Sequence, residues 1–179
     1  MALTPRWRRV ALTVHIAASV GWLGAVAAFL ALAAAGLRGD DDARTRGLYA
    51  AAEVLTWWVI VPLALASLVT GVVQALGTPW GLLRHYWVVA KLGLTVLAVG
   101  LLLLHTRPVG QLAAASALDG SLEGLRVQLV VDAAAGLVLL AVITMLSVFQ
   151  PRGLTPYGWR RSRRAGTAEE AGRGTGHRR

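Results

Sequence analysis

The sequence predicts an all-α polytopic membrane protein, a bundle of four transmembrane helices with both termini on the cytoplasmic side. Three observations predict it. The 179-residue chain is 56% hydrophobic with a mean hydropathy of +0.59, above the roughly 45–50% apolar content of ordinary soluble domains. Its charged residues, 15% of the total, are bunched between long uncharged stretches. Four of those stretches reach the roughly 20 residues that, at about 1.5 Å each, cross a ~30 Å hydrocarbon core.

The first span covers residues 10–37. Arg6-Trp-Arg-Arg9 ahead of it resembles the n-region of a signal peptide, but the apolar stretch far exceeds the roughly 7–15 residues of a signal h-region, so a retained helix is expected. Gly39-Asp-Asp-Asp42 opens the first loop. The second span covers 50–76; Pro62 inside it predicts a kink, which membrane helices tolerate. Gly77-Thr-Pro-Trp-Gly81 predicts a tight turn. The third span covers 87–106 and is expected to end at Arg107-Pro108. An Ala-rich loop with a short surface helix follows, then a fourth span over 127–149 ended by Pro151. Residues 1–159 thus form the transmembrane domain and 160–179 a basic, disordered tail.

Basic residues set orientation, while acidic ones count little. Arg6, Arg8 and Arg9 at the start, with Arg152, Arg160, Arg161, Arg163 and Arg164 in the tail, outweigh Arg38, Arg44 and Arg46 on one outer loop and Arg107 and Arg126 on the other. Both termini are therefore expected inside. Trp7, Trp80, Tyr86 and Trp87 then form the inner aromatic belt, and Tyr49, Trp57 and Trp58 lie toward the outer face. The net charge of +9 does not imply nucleic acid, because juxtamembrane arginine reads as a topology signal and a contact to anionic headgroups. With no cysteine, disulfides, thiolate metal sites, iron–sulfur clusters and cysteine nucleophiles are all excluded.

Of the 18 Lys and Arg residues a single one, Lys91, is lysine. So strong a bias points to a GC-rich bacterial genome and hence to the bacterial cytoplasmic membrane. Lys91 lies inside the third span, and His15 inside the first, ~9 Å beyond Arg9 at 1.5 Å per residue. Ionisable residues in hydrocarbon mark functional sites by default. The two spans run the same way, so His15 and Lys91 reach similar depth in the inner leaflet and meet if spans one and three are neighbours. His105 lies roughly 21 Å farther along the third span than Lys91, within about 40° of the same helix face. Asp132 and Glu53 share its leaflet, giving an outer group of Glu53, His105 and Asp132. Competing roles are snorkelling for Lys91, a cross-helix hydrogen bond for His15, pairing with His105 for Asp132, and plain solvation for Glu53 and His105.

This placement constrains a haem. His15 and His105 lie near opposite faces, so they cannot ligate one iron within a chain. His15 as iron ligand would need Lys91, a neighbouring copy in a homo-oligomer, or His85 as its second partner.

His15-Ile-Ala-Ala-Ser-Val-Gly-Trp22-Leu-Gly24 and Trp87-Val-Val-Ala-Lys91-Leu-Gly93 resemble motifs of two multi-span families, the HemJ-type protoporphyrinogen oxidases and the CopD-type copper-resistance membrane proteins. Overall the chain resembles small four-span bacterial membrane proteins of unknown function. The HemJ-type resemblance implies that His15 and Lys91 are a haem-linked pair. The CopD-type resemblance implies copper, for which methionine or further histidine ligands would be wanted; only Met1 and Met145 are present. The functional expectation is a buried inner-leaflet site of His15, Lys91 and Trp22 that binds haem b or passes protons or electrons. The alternatives are a non-catalytic membrane component that binds a protein partner, and copper handling. No Ser-His-Asp set, phosphate-cradling Gly loop or paired-carboxylate arrangement points to soluble-type enzyme chemistry.

Overall fold

Four apolar stretches in one chain fold as four helices because helices satisfy every backbone polar group internally. The computed structural model describes residues 4–39, 41–77, 86–115 and 122–149 and has no strand among them. Helix α1 is Pro5–Leu37. The second span is one continuous rod of α2 (Asp42–Leu55), a π-helical turn (Thr56–Ile60) and α3 (Val61–Gly77). Helices α4 (Tyr86–Ala114) and α5 (Glu123–Phe149) complete the bundle. All four rods are long and apolar enough to cross a membrane, with lengths of 27–35 residues.

The packing is cyclic. α1 touches the second rod and α5, and α4 touches the same two. Spans one and three therefore face each other across the diagonal and are not neighbours. The interior is lined largely with small residues: Ala18, Ala25, Ala33, Ala52, Ala64, Ala98 and Ala133 are all buried. Small side chains let helix backbones approach closely, which is how helices associate where lipid is as apolar as leucine. The large aliphatics point outward instead, with Val20, Leu104 and Val148 at 63%, 70% and 72% exposure. A continuous apolar perimeter of this kind aggregates in water; in lipid it is the solvated surface. By length and composition, the four helices suit a multi-pass membrane protein.

Two helix ends differ from expectation, and Pro62 lies within a continuing helix. The second helix begins at Asp42, well before residue 50, because Asp41 caps it, its side chain accepting from the Ala43 N–H at 2.9 Å. Pro62 is accommodated without ending the rod. It lacks an N–H, and the π turn just before it widens the ladder, Val61 N–H reaching Thr56 O five residues back. The third helix runs through Pro108 to Ala114. Pro108 removes one ladder bond, that to Leu104 O; near it Thr106 Oγ1 donates to Leu103 O at 2.8 Å and His105 Nδ1 to Leu101 O at 2.6 Å. The turn after Gly77, most of the loop before α5, Pro151, the tail, His85 and Trp80, as well as the Trp87 side chain, lie outside the described residues.

The end of the bundle where α1 stops is tied by a residue assigned above only to topology. Arg126 on α5 donates from Nη2 to Gly36 O and, at 3.4 Å, to Leu37 O, and from Nε to the Tyr49 hydroxyl at 3.2 Å. A guanidinium is thereby placed on the carbonyl end of α1, where the helix dipole favours a cation. Tyr49 is fully buried, and it lies so close to Gly36 that a Cβ there would sit 2.8 Å from its ring.

Candidate functional site

Two polar groups lie inside the bundle. The first is built on α1, α3 and α4. Lys91 Nζ stands 3.5 Å from His15 Nε2. Because α1 and α4 are diagonal, the contact crosses the bundle interior; the lysine is directed inward and not along the lipid face. His15 Nδ1 meets two oxygens of α3, Ser67 O at 3.1 Å and Thr70 Oγ1 at 3.0 Å. The first can only accept. The second has its own proton committed to Ala66 O at 2.6 Å, so it accepts as well. Nδ1 therefore carries the ring proton, and Nε2 offers its lone pair to Lys91. Two positive charges 3.5 Å apart would repel by ~5 kcal/mol at an effective dielectric of 20, so the pair holds a single one.

Neighbouring groups extend the track. Ser67, buried at 4% exposure, joins its Oγ to Ser19 Oγ at 2.8 Å. One turn toward the chain start, Gln74 Nε2 donates to Ala11 O at 3.1 Å. Gly71 leaves room for the imidazole, since a Cβ there would come within 3.2 Å of His15 Cε1. These α3 residues were missed above, although Ser67, Thr70, Gly71 and Gln74 stand at i, i+3, i+4 and i+7, one helix face. A small and polar stripe in an apolar span is the signal that could have found them.

The second group lies toward the other end. His105 Nε2 is 2.8 Å from Asp132 Oδ2, both side chains partly exposed. The contact is a close pairing without the alignment of a full hydrogen bond, for Oδ2 is buried with no aligned donor. Nδ1 of His105 is bonded to Leu101 O on its own helix. Glu53 stands apart from this pair, its Oε1 facing Gly110 on α4.

Trp22 makes no hydrogen bond to His15 or Lys91, its Nε1 having no partner among the described residues. It is 3% exposed and, two turns beyond His15, lines an apolar cavity of about 250 Å³ together with His105 and Asp132. The expected inner site is thus His15 and Lys91 with α3 hydroxyls, while Trp22 belongs with the outer pair.

Haem does not fit either place as they stand. Metal–nitrogen bonds of roughly 2.0–2.1 Å need two axial nitrogens about 4.1 Å apart, more than the 3.5 Å between His15 Nε2 and Lys91 Nζ. The cavity does not include His15, and at about 250 Å³ it is smaller than the ~300–1,000 Å³ of pockets for drug-sized ligands. Among the described residues no three His, Asp or Glu side chains gather to hold a metal ion. Compared with protein-family models, with curated proteins and with solved structures, the chain matches none of them; the HemJ-type and CopD-type resemblances therefore rest on their short motifs alone.

Proposed function

We propose that this is a protein of the bacterial cytoplasmic membrane, N-in and C-in, whose His15–Lys91 pair is a proton-relay site in the inner leaflet. The observation that carries the reading is the inward contact of Lys91 Nζ with His15 Nε2 at 3.5 Å. A proton moves from ammonium to imidazole without displacing a heavy atom. The opposite ring nitrogen is held by Thr70 Oγ1 and Ser67 O, which fixes the ring with Nε2 toward Lys91; the proton taken up at Nε2 leaves Nζ neutral, and onward transfer needs a water that accepts it from the ring. Ser19, Ser67 and Gln74 continue the polar line along α1 and α3. Burying a lysine costs stability, and a proton-transfer role is a reason to keep it.

The test is proton flux into proteoliposomes loaded with a pH-sensitive dye under an imposed potential. Flux above that of protein-free vesicles, lost in Lys91→Met and His15→Leu, is the expected result. Wild-type flux equal to that of empty vesicles rejects the relay and leaves the non-catalytic, partner-binding reading.

Haem b with His15 as axial ligand is the second reading, favoured by the His15–Trp22 and Trp87–Lys91 motifs. Against it stands the short nitrogen–nitrogen separation. A Soret band in detergent-purified protein, lost in His15→Leu, would establish it over the relay.

A further inference from the structure

The apolar cavity is separate from the His15–Lys91 pair and has a chemistry of its own. It lies between α1, the π turn, α4 and α5, with walls that include Phe29 and Leu140. An apolar cavity of ~150 Å³ admits a benzene ring; at about 250 Å³ this one admits a single ring with substituents. Two buried polar atoms of residues in its wall lack aligned partners: the indole Nε1–H of Trp22, a donor, and Asp132 Oδ2, an acceptor. Buried donors and acceptors are nearly always satisfied. Leaving one of each at the same cavity is the pattern of a site whose ligand supplies the partners. The Asp132 carboxyl is also 2.8 Å from His105 Nε2, so this side of the cavity presents a donor or an acceptor according to where the pair's proton lies. π-helical turns recur at functional sites, and Thr56 and Ile60 of this one line the cavity. Leu101 and Ala135 line it too and are exposed on the bundle perimeter, which gives access from the bilayer.

We infer that the cavity binds the ring of a membrane-soluble quinone or quinol, one ring oxygen accepting from Trp22 Nε1–H and the other, in the quinol form, donating its O–H to Asp132 Oδ2. This couple fits better than a hydrocarbon tail: either form has a ring oxygen to accept from Trp22, the quinol's O–H also serves Asp132 Oδ2, and a tail satisfies neither polar atom. The ring also matches the volume.

The probe is a ubiquinone analogue with a decyl tail, added to the full-length protein in nanodiscs, with empty nanodiscs as the partition control. Expected is saturable binding of one molecule per chain and an infrared carbonyl band lowered by hydrogen bonding. Trp22→Phe should remove the shift of one carbonyl and weaken binding on the order of tenfold, the loss of about one hydrogen bond. Gly136→Leu is the variant that keeps the test decisive should Trp22→Phe fold poorly. Gly136 lines the cavity, and a Cβ there meets nothing within 4 Å, so leucine fills the space and should abolish binding with helix content unchanged. Lys91→Met should leave binding intact, which separates this site from the proton relay. Binding no greater than to empty nanodiscs, binding insensitive to Gly136→Leu, or equal displacement by decane overturns the inference, the last because it makes the cavity a lipid-tail pocket.

Discussion

Replacing Lys91 by methionine tests whether the lysine is kept for chemistry or for folding, because the two cases differ in sign. Lys91 Nζ makes one hydrogen bond among the described residues, to His15 Nε2. Removing it leaves an imidazole nitrogen without a donor in the bundle interior, which costs about 1–3 kcal/mol. It also removes a cation from the membrane, a gain of about 2.5–3.5 kcal/mol on insertion scales. Methionine fills nearly the same volume, so no cavity term enters. The balance runs from about 0.5 kcal/mol of destabilisation to about 2.5 kcal/mol of stabilisation. His15→Leu has the opposite sign, since it strands the ammonium without its partner. The double variant should be the most stable of the three. Unfolding in mixed micelles with increasing SDS measures all of them, and proton flux is read on the same preparations. Stability held or raised in Lys91→Met while flux is lost is the expected outcome. A loss of more than about 2 kcal/mol with flux retained would show a structural hydrogen bond and refute the reasoning.

Three further outcomes follow from other parts of the molecule. Arg126→Met should destabilise by about 3 kcal/mol, one charge-assisted bond plus the dipole contribution, with Arg126→Lys recovering less than half because an ammonium cannot bond Tyr49 and the α1 carbonyls in a fork; SDS unfolding reads both. Gly36→Ala should destabilise by about 1–3 kcal/mol through overpacking, since its Cβ would lie 2.8 Å from Tyr49, and Gly36→Ala with Tyr49→Leu should recover most of it in the same assay. The chain has no cysteine, so single-cysteine variants report orientation directly: in intact cells an impermeant maleimide should label Ala43→Cys and spare Ser162→Cys, and the reverse pattern would invert the topology.

The four apolar rods were legible because hydrocarbon length and backbone satisfaction leave few options, and the break between the first two coincided with the Gly39-Asp-Asp-Asp42 cluster. Helix ends were less so. Asp41 caps a helix that starts in a charged, soluble-looking segment, and hydropathy does not see a cap. Pro108 lies in a helix that continues, because proline removes only one ladder bond and Thr106 and His105 side chains bond nearby carbonyls. The shared depth of His15 and Lys91 follows from counting residues along parallel helices. Their contact does not, since it depends on whether spans one and three are adjacent or diagonal, which no single-span feature encodes. Trp22 shows the limit of grouping by motif. Seven residues place it ~10 Å beyond His15, a distance that was available from the sequence, yet the short His–Trp–Gly motif drew the two into one site.

The diagonal arrangement changes what holds the site together. Partners on adjacent helices would be fixed by their own interface. Here α1 and α4 are held apart by the second rod and α5, so the His15–Lys91 separation is set by two other interfaces. α3 supplies the fixing: its hydroxyl and carbonyl hold the His15 ring through Nδ1, and Gly71 lets it approach. A bulkier residue at position 71 must push the imidazole, since its Cβ would stand 3.2 Å from Cε1, and a shift of a few tenths of an ångström away from α3 changes the gap to Lys91 directly. Because the gap of 3.5 Å is already at the outer edge of hydrogen-bond reach, whose usual N–H range ends at about 3.2 Å, small movements of α3 decide whether the two nitrogens stay in contact. The geometry of the pair is thus set by the second rod, which packs against both α1 and α4.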